Sequence, residues 1–204
     1  MARLVVTFLL ACCLAAPAVS AQRNTPRAPA RRVSTAVTCA VDLGAGIKSK
    51  RRFCDVVIAS TGGASVTMSI PAHAGPATLM FDLHNRFSVP PATVDPGRAF
   101  VRQTSVVHVI KTTGEVIDRA AVEREFRGVT DLFDRIGGGS GADVKAVAPG
   151  PPQSVRVTIP AGVSAIGIVG ARIEEKYLLT QGSSSAPGRP IAMVSALRIE
   201  YTPR

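Results

Sequence analysis

Apolar and polar residues alternate with a period of two along most of the chain from residue 53 onward. The clearest stretch is the last one, where apolar residues share one face and polar residues the other: Ile191, Met193, Leu197, Ile199 and Tyr201 against Arg198, Glu200 and Thr202. In a β-strand, successive side chains point to opposite faces of the sheet. The alternation therefore predicts strands that are buried on one side only.

About eight or nine such segments follow one another, separated by turns rich in glycine and proline. We place them at residues 36–43, 53–60, 66–70, 79–83, 100–111, 115–120, 155–159, 166–168 and 191–202. Short strands at this spacing predict an all-β fold. We expect an antiparallel β-sandwich of the jelly-roll or immunoglobulin-like type.

One segment, residues 121–152, interrupts the alternation. Its apolar residues take helical spacing: Val122, Phe126, Val129, Leu132, Phe133 and Ile136. We expect a short helix near residues 130–136, capped by Thr130 or Asp131 and ended by Gly137. The glycine- and proline-rich stretches 137–141, 149–152 and 182–188 are predicted to be loops.

The longest apolar run lies at the N-terminus. A short basic start (1–3) precedes the apolar run 4–16, and the small residues 19–21 follow it. This is the three-part pattern of a secretory signal peptide, cleaved after Ala21. A retained anchor and a lipoprotein cleavage at Cys12 are the alternatives, but the run is shorter than the roughly 18–20 residues that span a bilayer. We expect an exported bacterial protein, periplasmic or extracellular, without a transmembrane segment after cleavage.

Cleavage would remove Cys12 and Cys13 and leave Cys39 and Cys54. Two cysteines in an exported chain predict one disulfide. A structural zinc site would need further ligands nearby. If the strands at 36–43 and 53–60 pair, the bond would close the base of a hairpin.

The positive charge is concentrated near the N-terminus. The chain has 24 Lys and Arg against 14 Asp and Glu, and residues 22–52 hold eight of the basic residues and a single acid, Asp42. Residues 22–35, rich in Pro, Ala and Arg, are predicted to be a flexible arm. A second basic group between the cysteines is a candidate anion-binding tip: Lys48, Lys50, Arg51 and Arg52. Anionic envelope components are the candidate partners of the arm and the tip; the alternative is that the arm is a solvated spacer and the tip a solvated charged loop. Nucleic acid is not expected, because the chain is predicted to be exported and has few aromatic residues.

Candidate chemistry is sparse. Asp82 and His84 are two residues apart on one strand face, and His108 lies in another strand, so the three are candidate ligands for copper or zinc. The carboxylate pairs Glu123/Glu125 and Glu174/Glu175 would suit glycoside hydrolysis only across a cleft. The chain has no Trp, and sugar sites usually contain aromatic platforms. No cofactor is expected.

These observations divide the chain into a signal peptide (1–21), a basic arm (22–35) and one β-sandwich domain (36–204). We expect a non-enzymatic cell-envelope or secreted module with a binding or structural role. The alternatives are a periplasmic copper- or zinc-binding protein and a hydrolase whose site the sequence does not reveal.

Overall fold

The computed structural model of the protein describes residues 29–59, 63–87, 101–137 and 144–204. The expected signal peptide, half of the predicted basic arm and most of the glycine-rich loop 137–141 lie outside these ranges. Within the described ranges, no helix is long and apolar enough to cross a membrane.

Fourteen strands make up almost all of the regular structure in these ranges. They are β1 (Arg31–Val33), β2 (Val37–Cys39), β3 (Asp42–Ala45), β4 (Arg52–Val57), β5 (Val66–Ser69), β6 (Ala77–Asn85), β7 (Val101–Lys111), β8 (Val116–Phe126), β9 (Leu132–Gly137), β10 (Val144–Pro149), β11 (Gln153–Ile159), β12 (Ala165–Tyr177), β13 (Gln181–Ser184) and β14 (Pro190–Tyr201). The described part of the chain is therefore all-β, as predicted, with more strands than the alternation alone indicated.

Two antiparallel sheets form the body of the fold. Sheet A has the order β11-β6-β14-β4-β3, with β1 also paired to β14. Sheet B has the order β2-β5-β12-β7-β8, with β13 also paired to β12. The hairpin β9–β10 forms a small third sheet. The predicted antiparallel sandwich is confirmed.

The main pairings are nested. β4 pairs with β14, β5 with β12, β6 with β11, and β7 with β8. The chain thus crosses between the sheets at each step from β4 to β7, turns back at the β7–β8 hairpin, and returns alongside its own path. This order places β12 and β7 in the interior of sheet B, between β5 and β8.

The principal core lies between the two sheets, where alternate residues of each strand point inward. Leu79 and Leu83 of β6 meet Val107 and Val109 of β7 and Ile168 of β12 in one buried apolar cluster. Full burial of such a side chain stabilises the fold by roughly 1.5–3 kcal/mol. The residues between them point outward, so each sheet also has an outer face.

The predicted helix near residues 130–136 is wrong. Val129–Asp131 form a single 3₁₀ turn, and β9 follows it. Asp134 and Ile136 both point inward and are buried. Because Asp134 occupies an inward position where the alternation would place an apolar residue, the period of two is interrupted in the sequence. The apolar residues that remain are then spaced as in a helix. The predicted loop 182–188 is also partly strand, since β13 covers its first half.

The β9–β10 hairpin covers the outer face of sheet A. A second, smaller apolar cluster lies beneath it, made of Leu43, Phe53, Ile136, Ala146, Ala148 and Met193. This cover buries residues of β4, β6 and β14 that would otherwise face solvent. Among the described residues, no hairpin covers sheet B, and the outward residues Arg102, Glu174 and Lys176 of its central strands are exposed.

Cys39 and Cys54 form the predicted disulfide, with their Cα atoms 5.4 Å apart. The expected hairpin around it is wrong, because Cys39 lies on β2 of sheet B and Cys54 on β4 of sheet A. The residue paired with Cys54 is Asp42 of β3. The chain crosses between the sheets after Cys39, so the bond links the two layers of the sandwich.

Candidate functional site

The basic loop between β3 and β4 is anchored by a carboxylate of the covering hairpin. The Asp134 carboxylate accepts hydrogen bonds from the backbone N–H groups of Lys48 and Ser49, both at 2.9 Å, and from Arg135 at 2.8 Å. Burial by itself would raise the pKa of Asp134, but hydrogen bonds from the Ser49 side chain and from these N–H groups lower it below its usual value. A side chain at Gly46 would collide with this carboxylate.

Replacing Asp134 with alanine should release this loop. Three N–H groups would lose a charged acceptor, and a hydrogen bond to a charged group contributes about 1.5–3 kcal/mol. We expect a fall of that size in the free energy of unfolding, measured by chemical denaturation. Asp118→Ala, at an exposed carboxylate of β8, is the matched control. Equal stabilities of the two variants would contradict the anchoring role.

The predicted anion-binding tip divides into paired and unpaired cations. Arg51 binds Asp82 at 2.6 Å, and Arg52 binds Asp42. Lys48 and Lys50 are exposed and form no ion pair with any residue that the structure describes. An anion at this loop would therefore meet two free ammonium groups.

The three candidate metal ligands lie on opposite sides of the sandwich. Leu83 points into the core from sheet A, so its neighbours Asp82 and His84 face outward from that sheet. Val107 and Val109 point into the core from sheet B, so His108 faces outward on the far side. Across the described ranges, no group of three His, Cys, Asp or Glu residues is placed to hold a metal ion. The structure does not bring this set together.

His84 is enclosed instead as a neutral side chain under the β9–β10 hairpin. It is 2% exposed, its ring lies 5.0 Å from that of Phe53 and 5.6 Å from that of Phe133, and Nε2 lies 3.0 Å from the Ser195 hydroxyl. Burial lowers the pKa of His84 from 6.5 to about 4; Asp82 and Asp134 oppose the shift, whereas Arg51 and Arg124 add to it. At neutral pH this imidazole carries no charge.

An open cleft of about 500 Å³ lies on the outer face of sheet B. It crosses β13, β12, β7 and β8, whose register aligns outward side chains in rows. One row is Ser183, Glu174, Thr104 and Glu123, and the next is Gln181, Lys176, Arg102 and Glu125. The cleft therefore presents hydroxyl, amide and charged groups of both signs.

Most charges around the cleft already have partners: Glu174 binds Arg172 at 3.2 Å, Glu175 binds Arg189 at 2.7 Å, and Arg102 binds Glu125. Glu123 and Lys176 are different, because neither forms an ion pair with a described residue. The Thr104 hydroxyl donates a hydrogen bond of 2.7 Å to the Glu123 carboxylate. A carboxylate that is hydrogen-bonded but not ion-paired and an ammonium group without an ion pair thus remain for a ligand.

The sequence analysis identified the acidic residues of this cleft as candidates, but it did not predict how they are arranged relative to one another. Glu123 and Glu125 share the outer face of β8, whereas the adjacent Glu174 and Glu175 point to opposite faces of β12. Glu123 and Glu174 are brought to either side of Thr104, two strand spacings or about 10 Å apart. The sequence feature that could have indicated this cleft is the run of polar residues at outward positions of β7, β8 and β12. These residues come together in one cleft only because the three strands pair with one another.

No protein-family model matches this chain, and no curated protein matches it. Among solved structures, it is similar to the crystal structure of the infectious bursal disease virus VP2 subviral particle, at 11% sequence identity and a TM-score of 0.23. The match covers 93% of this chain and 46% of the VP2 chain, so this chain spans less than half the length of the VP2 chain. A TM-score this low carries no argument about shared fold or function.

Proposed function

We propose that the protein is an exported, non-enzymatic binding module of the bacterial cell envelope or secreted space, and that it binds its ligand in the cleft on sheet B. The observation that carries this proposal is the open polar cleft, in which Glu123 and Lys176 lack ionic partners among the described residues. The disulfide supports export, since such bonds persist in oxidising compartments.

The nested pairing supports the jelly-roll form of the sandwich over the immunoglobulin form. A jelly roll is a double sheet of eight strands built from two Greek keys. The four nested pairs comprise eight strands, and successive pairs lie alternately in sheet A and sheet B, which fits this arrangement. An immunoglobulin sandwich keeps its first two strands in one sheet, whereas β4 and β5 lie in different sheets here.

The cleft chemistry favours a small polar ligand that carries both an anionic and a cationic group. Lys176 would receive the anion and Glu123 the cation, while Thr104, Gln181 and Ser183 offer hydrogen bonds to the groups between them. A short peptide with free termini has this chemistry. The ion pairs of Glu174 with Arg172 and of Glu125 with Arg102 support a role in binding, because they occupy the other carboxylates on this face of the sheet.

The test is calorimetric titration of residues 22–204 with tri- to pentapeptides that have free termini. We expect binding that weakens about tenfold in Glu123→Gln and in Lys176→Gln, equivalent to roughly 1.4 kcal/mol for each lost charge. Glu115→Gln, at an exposed carboxylate in the β7–β8 turn, is the matched control and should bind like the wild type. The proposal fails if no peptide binds, or if peptides blocked at both ends bind equally well.

A further inference from the structure

The tip of the β12–β13 hairpin exposes two adjacent leucines. Leu178 is 68% and Leu179 is 88% exposed, more than any other large apolar side chain in the described ranges. The backbone N–H of Tyr177 donates a 2.7 Å hydrogen bond to the carbonyl of Thr180, so the leucines occupy the two central positions of a tight turn. Neither leucine has a positive φ, so the turn does not require glycine or asparagine there and accepts most residues. Turn geometry therefore permits leucine at both positions but does not require it.

This tip is placed at one end of the sandwich. Tyr177, the last residue of β12, pairs with Val101 at the start of β7, which in turn pairs with Phe126 at the end of β8. The β7–β8 turn and its exposed residue Val116 lie at the other end of those strands. The leucines thus form a compact apolar projection rather than part of a broad apolar face.

We propose that Leu178 and Leu179 insert into the interface of a lipid bilayer that contains anionic phospholipid. A projection of two adjacent side chains suits a soft, continuous apolar medium, because such a medium deforms around the side chains and needs no preformed pocket. The flanking residues Thr180 and Gln181 are polar and would remain among the lipid headgroups. Burial of apolar area and attraction to anionic lipid together determine the strength of such contacts.

Charge at the base of the tip favours anionic lipid. Lys176 is exposed and forms no ion pair with a described residue, whereas Arg102 beside it is bound to Glu125. An ammonium group next to an inserted apolar tip is attracted to phosphate headgroups. Lys176 and Gln181 also line the cleft, so docking would hold the cleft close to the membrane surface. The inference depends on the exposed tip and stands even if the cleft binds no peptide.

The absence of Trp from the chain allows a direct test. Leu179→Trp introduces a single tryptophan at the tip, and Val116→Trp introduces one at the opposite end as the matched control. On mixing residues 22–204 with vesicles of phosphatidylcholine and phosphatidylglycerol, the emission of Leu179→Trp should shift to shorter wavelength and become quenchable by brominated lipid. The emission of Val116→Trp should remain that of an exposed indole. Equal behaviour of the two variants would overturn the proposal.

Vesicle sedimentation then measures the contribution of the leucines. The double variant Leu178→Ser/Leu179→Ser should partition about tenfold or more weakly than the wild type, because two apolar side chains no longer insert. The basic arm is present in both proteins, so its binding does not affect this comparison. Val116→Ser should partition like the wild type. Equal binding of the double variant, or a concentration-dependent dimer that the double substitution abolishes, would refute lipid insertion.

Discussion

Replacing Cys39 and Cys54 with alanine should lower the free energy of unfolding by about 2–4 kcal/mol. The bond closes a loop with a sequence separation of 15 residues and ties sheet A to sheet B. A loop of this size corresponds to roughly 3 kcal/mol in the chain-entropy description of the unfolded state. Chemical denaturation of the oxidised wild type and of the double variant measures the difference.

Reduction of the wild type provides the control for this experiment. The reduced protein should unfold close to the denaturant concentration of the double alanine variant, because both lack the covalent link. The variant should be slightly less stable, because it also lacks the buried sulfur of Cys54. Adding reductant to the double variant should change nothing. A wild-type melting temperature that reductant leaves unaltered, or two free thiols in protein recovered from the periplasm, would contradict the stabilising role of the bond.

Acidification from pH 6.5 to pH 4 should cost the protein roughly 3 kcal/mol of stability through His84. Burial under the β9–β10 hairpin lowers the pKa of His84 from 6.5 to about 4. The unfolded chain therefore takes up this proton before the folded protein does. The contribution is complete above pH 6.5 and is progressively lost as the pH falls toward 4.

Comparison with His84→Gln isolates this effect, because glutamine does not titrate. The variant should be less stable at neutral pH, where it replaces a ring packed between Phe53 and Phe133. Its stability should nevertheless fall less steeply between pH 6.5 and 4. Asp55 acts in the opposite direction, since burial raises its pKa against the influence of Arg86. Asp55 is present in both proteins and cancels from the difference. Parallel pH profiles would disprove the assignment to His84.

Much of the fold follows from local patterning. The alternation in β14, β6 and β11 predicted strands at positions that the structure confirms, because a half-buried strand needs apolar side chains at every second residue. The two cysteines that remain after the expected signal cleavage predicted the disulfide, since two thiols in an exported protein are expected to pair with each other. Each strand prediction depends only on the residues of one segment, and the disulfide prediction depends only on the identity of two residues.

The covering hairpin shows where local patterning fails. Asp134 lies at an inward position of β9, which a strand pattern reserves for apolar residues. It is stable there because N–H groups of Lys48 and Ser49, far away in the chain, satisfy its carboxylate. A contact between distant segments therefore converts a helix-like sequence into a strand.

Alternation also tells which residues share a face of a strand, but it does not assign that strand to a sheet. His84 and His108 were both candidate ligands of one metal site, but the pairing of distant strands places them on opposite outer faces of the sandwich. Glu123 and Glu174 showed no relation in the sequence, and pairing of β8 and β12 with β7 placed them in one cleft. Backbone hydrogen bonds between distant strands decide these neighbours, and a period of two carries no information about which strands will pair.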